Sequence, residues 1–175
     1  MKRLLLGIAF TLYSTFVCAF SYTLELSEDK IQKKAESMMP LKKKKFFITT
    51  TLTEPVIDLI ASTNEINLTS NVNVKAPGNI SGNGKVSFTG SLRYESDSGS
   101  FYFDNLKVNS LDIDAIPQKV IPKIKEVLEL LAKRVLATKP VYKFKDDNLK
   151  HKLAKAALKS IKVTNETLFV ELGVF

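Results

Sequence analysis

One histidine and one cysteine are all the chain offers for imidazole or thiol chemistry, His151 and Cys18. A metal site or an activated nucleophile needs several such groups brought together, and neither residue has a second of its kind. His151 falls in a lysine-rich helical stretch and reads as a solvated helix residue. Among the carboxylates, Asp112 and Asp114 alternate on a strand end, Asp104 lies nearby, and Asp146 and Asp147 lie further along. Paired carboxylates can do acid–base work, but exposed strand charges and helix caps give the same pattern, and that reading is preferred. The glycines of "PGNISGNG" lack a phosphate-binding lysine and a following helix, so they read as a turn. The chain is therefore expected to have no catalytic residues, no metal and no cofactor.

Cys18 belongs to another kind of signal. Lys2 and Arg3 precede an apolar run from Leu4 to Val17, the pattern of a secretory leader. The run is too short for a spanning helix, which needs about 20 apolar residues. Val17 and Ala19 suit the positions three and one before a cut, so residues 1–19 are expected to be a cleaved signal peptide. The bulky Val17 directly before Cys18 argues against a lipid-modified cysteine. A periplasmic location follows, with residues 20–175 as a single domain. Loss of 19 residues from 175 leaves 156, enough for one ordinary core.

Lys2 and Arg3 would leave with the leader, so 24 of the 26 basic residues stand against 18 acidic ones, a formal +6. Lysine dominates; beyond the leader the arginines are Arg93 and Arg134. Base and phosphate readers favour the arginine fork, so nucleic acid is not an expected partner. Lysine-rich exported surfaces suit anionic membranes, and solubility alone is the competing explanation. The run "LKKKKFF" concentrates the issue. Lys42, Lys43, Lys44 and Lys45 directly precede Phe46 and Phe47, which suits contact with an anionic lipid surface. A solvated loop or a lysine-guarded strand edge explains the same run.

The elements that would position these residues come from periodicity. "YTLEL" alternates as a strand, and Ser27 is placed to cap a helix running to Met39, with Ile31, Ala35 and Met38 on one face. From Leu41 to Asp114 alternating segments predict four or five antiparallel strands, apolar on one face. Ile116–Pro140 then carries Val120, Ile124, Val127, Leu128, Leu131 and Val135 at helical spacing, which predicts one long amphipathic helix lying over that face. Pro122 would kink an interior, so its regular part is expected from near Pro122 to Thr138, about 25 Å. "PVYKF" reads as a short strand. A basic helix is expected from Asp147 to Lys159, with Leu149, Leu153, Ala156 and Ala157 inward. A hairpin turning at Asn165-Glu166 closes the chain. The predicted class is α+β, with helices segregated on one sheet. The helix stripe either closes a core or leaves a slot for an acyl chain.

The leader, "YTLELSEDKIQKKAESMMP", "SGSFYFDNLKV" before the long helical stretch, "KPVYKFKDD" and "HKLAKAALKSIKVTNETLFVEL" together resemble the YceB-like family of Gram-negative envelope proteins. The resemblance covers about residues 21–172. It implies a TULIP-like fold, a bent antiparallel sheet wrapped around one long amphipathic helix with shorter N- and C-terminal helices. It also implies a lipid or other apolar ligand held between helix and sheet. The lining would be Val120, Ile124, Val127, Leu128, Leu131 and Val135 from the helix, with Val86, Phe88, Leu92, Phe101 and Phe103 from the sheet. The resulting expectation is a non-catalytic periplasmic binding protein. The alternative is an envelope structural or interaction protein with a closed core and a protein partner.

Overall fold

The alternating segments pair into two separate antiparallel sheets, in a computed structural model that describes residues 21–145, 148 and 156–174. The first sheet joins the first described strand to the last two, in the order β1 (Ser21–Ser27), β9 (Thr167–Val174), β8 (Ala156–Thr164). The second has six strands in sequence order: β2 (Leu41–Lys45), β3 (Ile48–Ile60), β4 (Glu65–Ala76), β5 (Ile80–Glu95), β6 (Ser100–Ile113) and β7 (Pro140–Lys143). Two short α-helices are fully described, α1 (Glu28–Met38) and α2 (Ile121–Arg134).

This overturns the expected α+β, TULIP-like class. The described residues are 60% strand and 22% helical, and no long helix is wrapped by a sheet. The helix expected from near Pro122 to Thr138 does start there but ends at Arg134, giving the 14 residues of α2, about 21 Å. Pro122 fixes where it starts, since proline is tolerated only in a first turn. At the other end Val135 leaves helical geometry (φ −122°), and Leu136–Thr138 tightens into a 3₁₀ turn. There the Thr138 hydroxyl donates to the carbonyls of Arg134 and Val135 and so satisfies carbonyls at the helix end. The expected helix from Asp147 to Lys159 is corrected at its end: Ala156–Lys159 belong to β8. Asn148 is helical, while Asp147, Leu149, His151 and Leu153 lie outside the described residues, as does the whole leader. The Asn165-Glu166 turn joins β8 to β9 where the sequence places it.

The six-stranded sheet curls into a half-barrel. Bulges supply the bend. Glu54 (φ 49°) is the extra residue between Thr53 and Val56 of β3, so the inward-facing set shifts there from Ile48, Thr50 and Leu52 to Pro55, Ile57 and Leu59. Asn105 (φ 51°) marks a second bulge, opposite Gly90 in β5. A Cβ at Gly90 would stand 2.6 Å from the Asp104 carbonyl oxygen, so only glycine lets the two strands approach this closely. The buried stripe of α2 (Ile124, Val127, Leu128, Leu131, Ala132) joins the inward residues of both sheets in one apolar core.

A curled sheet that stops short of a barrel leaves edges. Strand β2 covers β3 only as far as Leu52, so the Pro55–Ile60 segment of β3 has no strand partner on that side. Helix α1 takes its place. The Gln32 side chain donates to the Pro55 carbonyl (2.7 Å) and accepts from the Ile57 amide (2.8 Å), copying a strand's peptide group. One turn earlier, Glu28 accepts from the Leu59 amide (3.0 Å). Ser27 stands at the N-cap of α1 without a side-chain cap bond; the Glu28 amide is satisfied by the Glu166 carbonyl instead (3.0 Å).

Gln32→Ala is expected to cost roughly 1–3 kcal/mol, because it strands a partly buried amide and carbonyl. Lys33→Ala, one residue along and exposed, is expected to change stability by less than about 0.5 kcal/mol. Urea denaturation reads both. Equal, small effects would mean that this edge is not sealed by Gln32.

Candidate functional site

Helix α1 presents three stripes to three surroundings. Glu28, Gln32 and Glu36 run along the side toward β3, and Gln32 also donates to Glu36 (2.7 Å). Ile31, Ala35 and Met38 enter the core. Lys30, Lys33, Lys34 and Ser37, spaced i, i+3, i+4, i+7, share a further side, and this side faces β7 across an open groove of about 730 Å³. The opposite wall and floor are Pro140–Lys145.

Aromatic packing holds the floor in place. The Phe144 ring stands within 5.6–6.2 Å of Tyr22, Tyr94, Phe101 and Tyr142, in edge-on arrangements throughout. Its amide donates to the Gly99 carbonyl (3.0 Å), which ties the end of β7 to the β5–β6 turn. Edge-to-face ring pairs add about 0.5–1.5 kcal/mol each beyond their burial. Burial raises the pKa of Tyr94 and Tyr142 above the ordinary value, with Tyr22 adding to the effect at Tyr142. Both phenols are therefore neutral at physiological pH, and both can donate.

The charge of the groove is one-sided. Five lysines line it (Lys30, Lys33, Lys34, Lys143, Lys145), and among the described residues no carboxylate does. Lys45 pairs with Glu126 and Arg93 with Glu95, and none of the five groove lysines has a described acid within 4.0 Å. An apolar, aromatic floor between cationic walls is complementary to an amphiphile with an anionic head.

The residues singled out in the sequence take other places. Val86, Phe88, Leu92, Phe101, Phe103, Ile124, Val127, Leu128 and Leu131 are brought together, each no more than 3% exposed. Val120 and Val135 pack half-buried against them. Their side chains fill the space between α2 and the sheet. Lys42–Lys45 form the edge strand β2 itself; Lys42 and Lys44 are exposed, while Lys43 and Lys45 share the face of buried Leu41. Asp112 and Asp114 are exposed at the end of β6, and the Asp104 carboxylate accepts from Asn105 (3.0 Å). Among the described residues no three His, Cys, Asp or Glu cluster closely enough to hold a metal ion. No described helix is long and apolar enough to cross a membrane. The lysine stripe of α1 was visible in "DKIQKKAES" as a helical pattern. Its neighbour across the groove was not, because β7 reaches it only through the curl of the sheet.

A family model described as "Protein of unknown function (DUF1439)" matches residues 26–167. The chain belongs to this family. The matched segment runs from the end of β1 to the start of β9, so both walls of the groove lie inside it. No curated protein matches the chain.

Two outcomes test this geometry. Leu131→Ala is expected to destabilise the fold by roughly 2–5 kcal/mol, as for a closed core; a loss below about 1 kcal/mol in chemical denaturation would mean that the site beside α2 is loosely filled. The raised phenol pKa values stabilise the native state fully below about pH 10, the unfolded tyrosine value, and this contribution is lost as the pH climbs through the higher native values. Tyrosinate absorbance should therefore show two phenols titrating late, and Tyr142→Phe should remove one of them.

Proposed function

We propose that the protein is a non-catalytic binding protein for an anionic amphiphile, of the fatty-acid or phospholipid class, held along the groove between α1 and β7. The observation that carries this reading is the pairing of an aromatic, apolar floor with five lysines and, among the described residues, no acid. Its volume lies within the 300–1,000 Å³ usual for small-ligand sites. An acyl chain would lie on Pro140, Tyr142 and the methylene stems of the lysines, with buried Val141 and Phe144 beneath, and its carboxylate or phosphate would meet Lys33, Lys34 or Lys143.

The leader-like start of the chain supports action in the periplasm as a soluble protein, with residues 1–19 removed and Cys18 discarded. The resemblance to YceB-like envelope proteins supports the same compartment. The mass of the protein expressed with its own leader tests this: a chain starting at Phe20 agrees, and a diacylglycerol-modified Cys18 contradicts it.

The closed packing between α2 and the sheet favours the second reading, an envelope interaction protein whose ligand is another protein. Titration with a fluorescent polyunsaturated fatty acid, displaced by oleate, separates the two. The first reading expects saturable binding that weakens about tenfold or more in Ser37→Trp, which fills the groove, and in Lys33→Glu/Lys143→Glu, which reverses its charge; tenfold corresponds to about 1.4 kcal/mol. Absence of binding in the wild type, or binding indifferent to both variants, would overturn it.

A further inference from the structure

The turn between β2 and β3 is built from two phenylalanines in a conformation that phenylalanine avoids. Phe46 (φ 52°) and Phe47 (φ 62°) are the two central residues of a two-residue hairpin, in which Lys45 pairs with Ile48. Positive φ at both positions is the mark of a type I′ turn, which favours Asn-Gly. Of the seven other described non-glycine residues with positive φ, four are asparagines (Asn64, Asn79, Asn105 and Asn165), which tolerate it; Glu54, Ala115 and Glu166 are the rest, and none is as bulky as phenylalanine. A bulky side chain there is an outlier that points to a functional constraint. The same two rings are exposed, Phe46 by 51% and Phe47 by 79%. Burial therefore does not explain them.

Their surroundings are basic. Register puts the adjacent turn of β4 and β5 at the same end of the sheet, since Thr49 pairs with Lys75 and Ala76 with Ile80. The start of α2 also reaches this end. Phe46, Pro77, Ile80 and Val120 line a small hollow of about 260 Å³ together with Lys119 and Lys123. Lys119 and Lys123 are exposed, as are Lys42 and Lys44 on β2, and none has a described carboxylate within 4.0 Å. The one carboxylate bonded here, Glu126, is taken up by Lys45 (2.6 Å), whose ammonium also lies 4.4 Å from the centre of the Phe46 ring.

We infer that the Phe46-Phe47 turn is a membrane wedge that docks this end of the half-barrel on an anionic lipid bilayer. The two rings enter the headgroup–acyl boundary, and Lys42, Lys44, Lys119 and Lys123 contact the lipid phosphates. The occupant is a bilayer surface because an exposed apolar tip ringed by unpaired cations is complementary to one in both respects. This docking does not depend on the groove between α1 and β7.

The chain contains no tryptophan, so Phe47→Trp is a single reporter. With vesicles of phosphatidylcholine and phosphatidylglycerol (7:3), its emission should shift to the blue and be quenched by lipids brominated near the headgroup. Pure phosphatidylcholine vesicles should give a response at least tenfold weaker. Phe46→Asn/Phe47→Gly should lower vesicle binding tenfold or more while raising the thermal midpoint by about 2–4 °C, because the turn gains its preferred residues. Unchanged Trp emission with anionic vesicles, or full vesicle binding by the double variant, would overturn the inference. A double variant that binds less because it is less stable would also count against it.

Discussion

Edges are the governing constraint of this fold. A half-barrel exposes a row of unpaired backbone groups wherever a strand stops early, and such rows invite pairing with other chains. Here β2 stops short along β3, and the gap is closed by side chains rather than by a strand. Gln32 supplies one amide and one carbonyl oxygen in the places a neighbouring strand would put them, and Glu28 supplies a further acceptor. That bonding fixes the rotation of α1. With Glu28 and Gln32 turned to β3 and Ile31, Ala35 and Met38 turned to the core, the lysine stripe has one direction left, toward β7. The groove is the consequence: a helix serving as a stave beside a curled sheet meets its other edge strand without touching along the whole length.

The same logic distributes the positive charge. Lysines gather on α1, along β2 and at the beginning of α2, beside one edge and one end of the curled sheet. Protection against aggregation explains charge on an edge strand in general terms. It does not explain two phenylalanines at the tip of that strand, nor an aromatic floor under the lysines of α1. In both places cations sit beside apolar surface, and an anionic amphiphile satisfies both, as a single molecule in the groove and as a bilayer at the hairpin.

The strands were legible because one-sided burial writes an alternating pattern, and β4 shows it from Ile66 to Val74 with Ser70 the one polar residue in the buried set. Helix α1 was legible through Ile31, Ala35 and Met38. The long helix was misjudged because the stripe continues to Val135 although the backbone does not: Val135 still packs against the core after the chain has left helical geometry. Ala156 and Ala157 suggested a helix by propensity, yet pairing with Val174 and Gly173 of β9 prevails. The eleven residues expected to line a slot do lie together, but periodicity marks a filled core and an open groove alike. The seam between α1 and β7 was out of reach, since it joins positions more than a hundred residues apart through bulges at Glu54 and Asn105 that leave little trace in the hydrophobic pattern.

The most direct test of the central claim is amide hydrogen exchange with and without oleate. Binding along the seam predicts protection concentrated in residues 28–38 and 140–145, with α2 and the centre of β5 unchanged. Protection confined to residues 121–134 and their facing strands, or no protection anywhere, would contradict it.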